Sequence, residues 1–124
     1  MMNNAGVTIA VVEDDAGLRT AIEQLLRSAG FRAVTFESAE GFLAKVDGAA
    51  VKCVIADINL PGISGVELVK RLSTNGQRLP AVLITGRRDT ATAALASQVA
   101  DVPCLHKPFS DDALFDVISR VMRR

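Results

Sequence analysis

The chain has 124 residues, of which 49% are hydrophobic and 23% charged, with 14 Lys and Arg against 14 Asp and Glu. That length suits one domain able to fold without a disulfide or metal staple, and the composition excludes a disordered tail. The zero net charge argues against a dedicated nucleic-acid binder, and no run approaches the ~18 consecutive apolar residues of a membrane span. The start, Met1 to Gly6, lacks the basic flank and apolar core of a secretion signal. Cys53 and Cys104 sit inside apolar runs and form no CxxC pair, so they read as reduced core residues of a cytoplasmic protein.

Along the chain, short β-branched runs alternate with segments of helical period. Val7 to Val12 is too short for a buried helix and reads as a strand. Leu18, Ala21, Ile22, Leu25, Leu26 and Ala29 then form one apolar helical stripe that Gly30 is placed to end. Ala33 to Phe36 is a shorter, mixed strand suited to a sheet edge. Ser38 can cap a helix facing inward with Ala39, Phe42, Leu43 and Val46.

Val51 to Ala56 predicts a third strand. Ser64-Gly65-Val66-Glu67 predicts a capping box, opening a helix with Val66, Val69 and Leu72 inward. Ala81 to Ile84, after Pro80, is the fourth strand. The helix expected over about Thr90 to Ala100 is alanine-rich and weakly patterned, which suits a loosely packed, adjustable element. Cys104-Leu105 is a short fifth strand. Ser110 then caps a last helix, with Asp111 and Asp112 in its first turn and Leu114, Val117, Ile118, Val121 and Met122 inward.

Five β–α repeats with continuously apolar central strands predict an α/β fold, a single doubly wound five-stranded parallel sheet with helices on both faces, over residues 1–124. Right-handed crossovers place every strand's C-terminal end on one edge, where such sheets bind ligands. Glu13, Asp14 and Asp15 follow the first strand, Asp57 and Asn59 the third, Thr85 the fourth and Lys107 the fifth. Singly, each has a plain structural reading: Asp15 is a helix cap, Thr85 a strand-end hydrogen bonder and Lys107 a solvated charge. Together they do not. Two unit charges 4 Å apart repel by roughly 4 kcal/mol at an effective dielectric near 20, so Glu13, Asp14 and Asp57 need a proton, a cation partner or a metal. Hard oxygen ligands suit Mg²⁺, while Lys107 and Thr85 supply a positive charge and a donor for an anionic group. A carboxylate facing a phosphoryl group is a nucleophile for an acyl phosphate.

Val12-Glu13-Asp14-Asp15, Asp57-Ile58-Asn59-Leu60-Pro61-Gly62, Leu83-Ile84-Thr85-Gly86 and Lys107-Pro108-Phe109, in this order and spacing, resemble the receiver domain of two-component response regulators. The resemblance runs from about Val7 to Val121. It implies a flavodoxin-like strand order 2-1-3-4-5, Asp57 as phospho-acceptor from a sensor histidine kinase or phosphotransfer protein, and Asp57, Asp14, Glu13 (through water) and the Asn59 carbonyl as the Mg²⁺ site. It further implies Thr85 and Lys107 as phosphoryl partners, a cis Lys107-Pro108 bond, and catalysis of the chain's own phosphorylation and hydrolysis. Phosphorylation is then expected to draw Thr85 inward and switch the surface of the fourth helix, fifth strand and fifth helix toward a protein target, an output domain or a homodimer partner. Both a stand-alone receiver and the first domain of a longer regulator fit this pattern.

Three positions depart from the family. Cys104 stands where many receivers carry Tyr or Phe, so activation is expected to use loop and helix movement without an aromatic reporter. Arg87 with Arg88 follows Thr85, either reaching the phosphoryl group or simply solvated. Ser97 to Val102 lacks the usual Gly-Ala turn, which leaves the end of the fourth helix open. His106 is expected to face outward. Two further functions compete: a degenerate receiver acting as a phosphorylation-independent binding module, and an aspartyl-phosphate phosphatase, which would want an acid at Asn59. No G-x-G-x-x-G follows the first strand, so a dinucleotide is not expected.

Overall fold

A computed structural model describes residues 4–45, 50–74 and 79–123. Five strands, β1 (Thr8–Val12), β2 (Arg32–Phe36), β3 (Cys53–Asp57), β4 (Ala81–Thr85) and β5 (Cys104–His106), alternate with five helices. The helices are α1 (Ala16–Ser28), α2 (Ala39–Lys45), α3 (Gly65–Thr74), α4 (Thr90–Ser97) and α5 (Asp111–Met122). All strand pairings are parallel, in the order β2-β1-β3-β4-β5, so the chain reverses direction across the sheet between β1 and β3.

Alternation along the buried strands divides the core between two faces. Ala10, Val12, Val54, Ala56 and Leu83 pack with Phe42 of α2 and with Val66, Leu68 and Leu72 of α3. Ile9, Val11, Cys53, Ile55, Val82 and Ile84 pack on the other side with Ile22 and Leu26 of α1 and with Leu114, Val117 and Ile118 of α5. Burial of both sheet faces is why these strands read as unbroken apolar runs. β2 and β5 are the edges, and Val34 on β2 is 38% exposed.

The helix boundaries follow local chemistry. Asp15 accepts from Leu18 N at 3.1 Å and caps α1. At its other end Gly30 takes φ +92°, and Gly30 N and Phe31 N bond the carbonyls of Arg27 and Leu26, a Schellman closure that requires the left-handed glycine. Ser38 Oγ caps α2 through Gly41 N at 3.0 Å, and Ser110 Oγ caps α5 through Ala113 N at 3.0 Å.

Several expectations need correction. Ala21, assigned to the inward stripe, is exposed, because the stripe of α1 is narrower than its apolar positions suggest. Only half of the capping box forms: Ser64 Oγ accepts from Glu67 N at 3.0 Å, while the Glu67 carboxylate pairs forward with Arg71 at 3.2 Å. β3 begins at Cys53 and runs through Asp57, displaced from the expected Val51 to Ala56. β5 extends one residue, to His106, which is exposed as expected. α4 ends at Ser97 and not at Ala100, since Val99 turns in to the core at 8% exposure instead of continuing the helix. Val46 lies outside the described residues. Among the described residues no helix is long and apolar enough to cross a membrane.

Candidate phospho-acceptor site

The parallel sheet delivers its C-terminal strand ends to one edge, and the expected residues stand there. Glu13 directly follows β1, Asp57 ends β3, Thr85 ends β4 and Lys107 directly follows β5. The ladders continue just past the strand ends: Glu13 N bonds Phe36 O at 3.0 Å, Ile58 N bonds Ile84 O at 2.9 Å, and Lys107 N bonds Thr85 O at 2.8 Å. The site's backbone is therefore held as firmly as the sheet itself.

Lys107 closes the constellation. Its ammonium donates to Asp57 Oδ2 at 2.7 Å and to Glu13 Oε1 at 3.0 Å, with both carboxylates almost completely buried. Burial alone would lower the Lys107 pKa, but the bonds to Asp57 and Glu13 outweigh it and hold it above the ordinary lysine value. Burial pushes the Glu13 carboxyl up to about 7, against the bonds from Asp15 N and Lys107 that favour its charge. The reading of Lys107 as a solvated charge is thus overturned. The Lys107-Pro108 peptide is cis, as expected.

Carboxylate oxygens of Glu13, Asp14 and Asp57 all lie within 4.8 Å of one another, with Asp14 exposed and the other two buried. Three carboxylates converging beside one ammonium form a hard, oxygen-only donor set with an open side at Asp14, which fits a magnesium ion and does not fit a soft metal. The fixed partners leave little freedom: Asp15 N donates to Glu13 Oε2 at 3.1 Å and Asn59 N donates to Asp57 Oδ1 at 2.8 Å.

Thr85 Oγ1 donates to Asn59 Oδ1 at 2.7 Å and accepts from Arg87 N at 3.0 Å. Arg87 and Arg88 themselves are exposed. Cys104 is half-buried, not fully buried as expected, and burial followed by the charge of Asp57 raises its thiol pKa.

Sequence reasoning missed three residues that shape this edge. Gly65 N bonds Ile58 O at 3.2 Å, and a Cβ on Gly65 would overlap the Asp57 carbonyl oxygen and stand 2.9 Å from its carbonyl carbon. A glycine opening a helix, where most residues are preferred to it, was the available signal. Glu40 of α2 reaches the loop after β3, accepting from Ile63 N at 3.1 Å beside Gly62 at φ +76°. Thr92 of α4 accepts from Asn59 Nδ2 at 3.1 Å.

The carboxyl edge of this α/β sheet thus holds an aspartate neutralised by a lysine beside two further acids. The profile of the response regulator receiver domain matches residues 9–119, and the chain belongs to that family. The transcriptional regulatory protein FixJ of Bradyrhizobium diazoefficiens is 37% identical over 116 residues, covering 94% of this chain and 57% of FixJ. The C4-dicarboxylate transport transcriptional regulatory protein DctD of Pseudomonas aeruginosa is 35% identical over 123 residues, covering 96% of this chain and 26% of DctD. The solved structure of FixJ-N superposes with a TM-score of 0.82 at 30% identity, covering 95% of this chain and 94% of that one. The chain thus spans little more than half of FixJ and a quarter of DctD. The acidic cluster fits the magnesium and phospho-aspartate site of a receiver domain.

Proposed function

We propose that residues 1–124 form one receiver unit that accepts a phosphoryl group on Asp57 from the phosphohistidine of a sensor kinase or phosphotransfer protein. The observation that carries this reading is Asp57 Oδ2 held 2.7 Å from Lys107 Nζ, inside the cluster with Glu13 and Asp14. An Asp57 carboxylate oxygen attacks phosphorus and forms the P–O bond. The P–N bond breaks, and the leaving imidazole nitrogen keeps its electron pair. Lys107 pairs with the charge on the transferred group and Thr85 donates to one of its oxygens. Asp57, Asp14, the Asn59 carbonyl and, through water, Glu13 would hold a magnesium ion, which supplies charge neutralisation at the phosphoryl oxygens. The chain's catalysis is confined to its own phosphorylation and hydrolysis.

The domain then signals through α4, β5 and α5 to an output domain, a protein target or a second copy, in the cytoplasm and without touching nucleic acid itself. Asn59, where an aspartyl-phosphate phosphatase would want an acid, has its amide engaged by Thr85 and Thr92, which disfavours that alternative. Acetyl phosphate supplied with and without Mg²⁺, read by intact mass, tests the reading. A single hydroxylamine-labile phosphoryl adduct that requires Mg²⁺ and is lost in Asp57→Asn is expected. Absence of both the adduct and beryllofluoride binding would reduce the chain to a phosphorylation-independent binding module.

A further inference from the structure

The Asn59 side chain lies between two buried hydroxyls. Thr85 Oγ1 donates to its Oδ1 at 2.7 Å, and its Nδ2 donates to Thr92 Oγ1 at 3.1 Å. Thr85 ends β4 and is 1% exposed, while Thr92 lies in the first turn of α4 and is 4% exposed. One amide therefore fastens both ends of the loop that carries Arg87 and Arg88. The fastening matters because α4 is weakly held otherwise: Thr92 is its buried residue, and Leu95 and Ala96 are only partly buried against the core.

Thr92 is held in place from the helix end. Asp89 caps α4, accepting from Thr92 N at 2.7 Å. The cap fixes the first turn, and there the Thr92 oxygen accepts from Asn59 Nδ2. The amide is then left with Oδ1 toward Thr85. The Thr85 hydroxyl has its oxygen taken by Arg87 N and its proton by Asn59. In this state that proton is not available to Asp57.

We propose that Thr92 is a positioning residue for the phosphoryl-transfer site: it accepts from the Asn59 amide so that the Thr85 proton is held on Oδ1, and it ties the first turn of α4 to the phospho-acceptor loop. This rests on the assignment of Asp57 and Thr85 above. A phosphoryl group on Asp57 competes with Asn59 for the Thr85 proton, and the exchange removes half of the fastening that joins β4 to α4. The signal reaches α4 through an amide and two hydroxyls, with no aromatic side chain taking part.

Beryllofluoride with Mg²⁺ provides the test, titrated by calorimetry into the wild-type chain, Thr92→Val and Thr92→Ser. Thr92→Val preserves shape and removes the acceptor, freeing the amide to turn. It is expected to take up beryllofluoride at about two- to tenfold lower concentration, the factor that one neutral hydrogen bond represents. Thr92→Ser is expected to return to the wild-type value. Hydrogen exchange over residues 90–97 should rise in the wild-type chain on adding beryllofluoride, and in Thr92→Val should already be raised without it. Equal or weaker uptake by Thr92→Val, with the wild-type chain binding normally, overturns the role of Thr92 and leaves Asp57 as acceptor. No uptake by the wild-type chain itself overturns the acceptor reading and this role with it. Thr92→Ala, measured alongside, guards against a fault peculiar to valine in a helix and should match Thr92→Val.

Discussion

Gly65→Ala isolates the steric demand that Asp57 places on its surroundings. A Cβ at this position would overlap the Asp57 carbonyl oxygen, stand 2.9 Å from its carbonyl carbon and 3.2 Å from Ile58 Cα. All three atoms are backbone, so no rotamer change can relieve the overlap. The first turn of α3 or the end of β3 must retreat by roughly 1 Å, a misplacement that costs on the order of 100-fold in rate when it reaches the reacting atoms. The same crowding is expected to cost about 1–3 kcal/mol of stability, the usual range for overpacking. Gly86→Ala is the stability control: its Cβ would meet only Lys107 Cδ, at 3.6 Å, and Lys107 Cβ, at 4.0 Å, both ordinary contacts. Urea unfolding of the two variants, with acetyl phosphate labelling of Gly65→Ala and the wild-type chain followed by intact mass, reads both effects. A Gly65→Ala chain that is labelled at the wild-type rate would refute the claim that this close approach positions Asp57.

Further outcomes are expected at three positions. Burial raises Glu13 to about 7 from an ordinary 4.5; magnesium uptake should then expel its proton, and calorimetry should find affinity about tenfold weaker at pH 6 than at pH 8, whereas a flat profile contradicts the assignment. By the same shift, the folded chain without magnesium holds a proton that the unfolded chain releases, so Glu13 contributes stability that is complete below 4.5 and lost as pH rises through 7. Lys107→Met leaves the Glu13 and Asp57 carboxylates without their cation, and urea unfolding should show a loss of about 3 kcal/mol at pH 8 that shrinks at pH 5, where Glu13 is protonated. The Cys53 thiol is buried and pushed up to about 12, so a maleimide at pH 8 should label only half-buried Cys104 in the folded chain, and peptide masses showing equal labelling would be inconsistent with this core.

Much of this architecture was legible because two periodicities alternate along the chain. Apolar runs such as Val54-Ile55-Ala56 predicted strands covered on both faces, and the reactive residues could then be placed by asking which side chains stand just past each strand's end. Chain order carries that information, since parallel strands must end on one edge. Contacts between residues distant in sequence carry none of it. Asn59 and Thr92 are 33 positions apart, and Glu40 and Ile63 are 23 apart, so neither pairing leaves a spacing to read. Ala21 failed for a different reason: alanine is a good helix former on any face, so its place in an apolar stripe says little about burial. α4 stops at Ser97, short of the expected Ala100, where Val99 packs into the core, and no Gly or Pro marks that end in the sequence.

The resting site answers the charge problem that the sequence posed, and the answer constrains activation. With one ammonium shared between Asp57 and Glu13, Lys107 is already engaged before any phosphoryl group arrives. On the proposed reading, transfer to Asp57 would replace the oxygen charge that Lys107 neutralises with phosphoryl charge, which Lys107 could follow. Thr85 has no such continuity. Its proton is committed to Asn59 and must break that bond to reach the new group. On the proposed reading, Lys107 is the partner already beside Asp57, and Thr85 the one that would have to rearrange. On that reading the rearrangement leads to α4, because Asn59 is joined to Thr92, the buried residue of that helix.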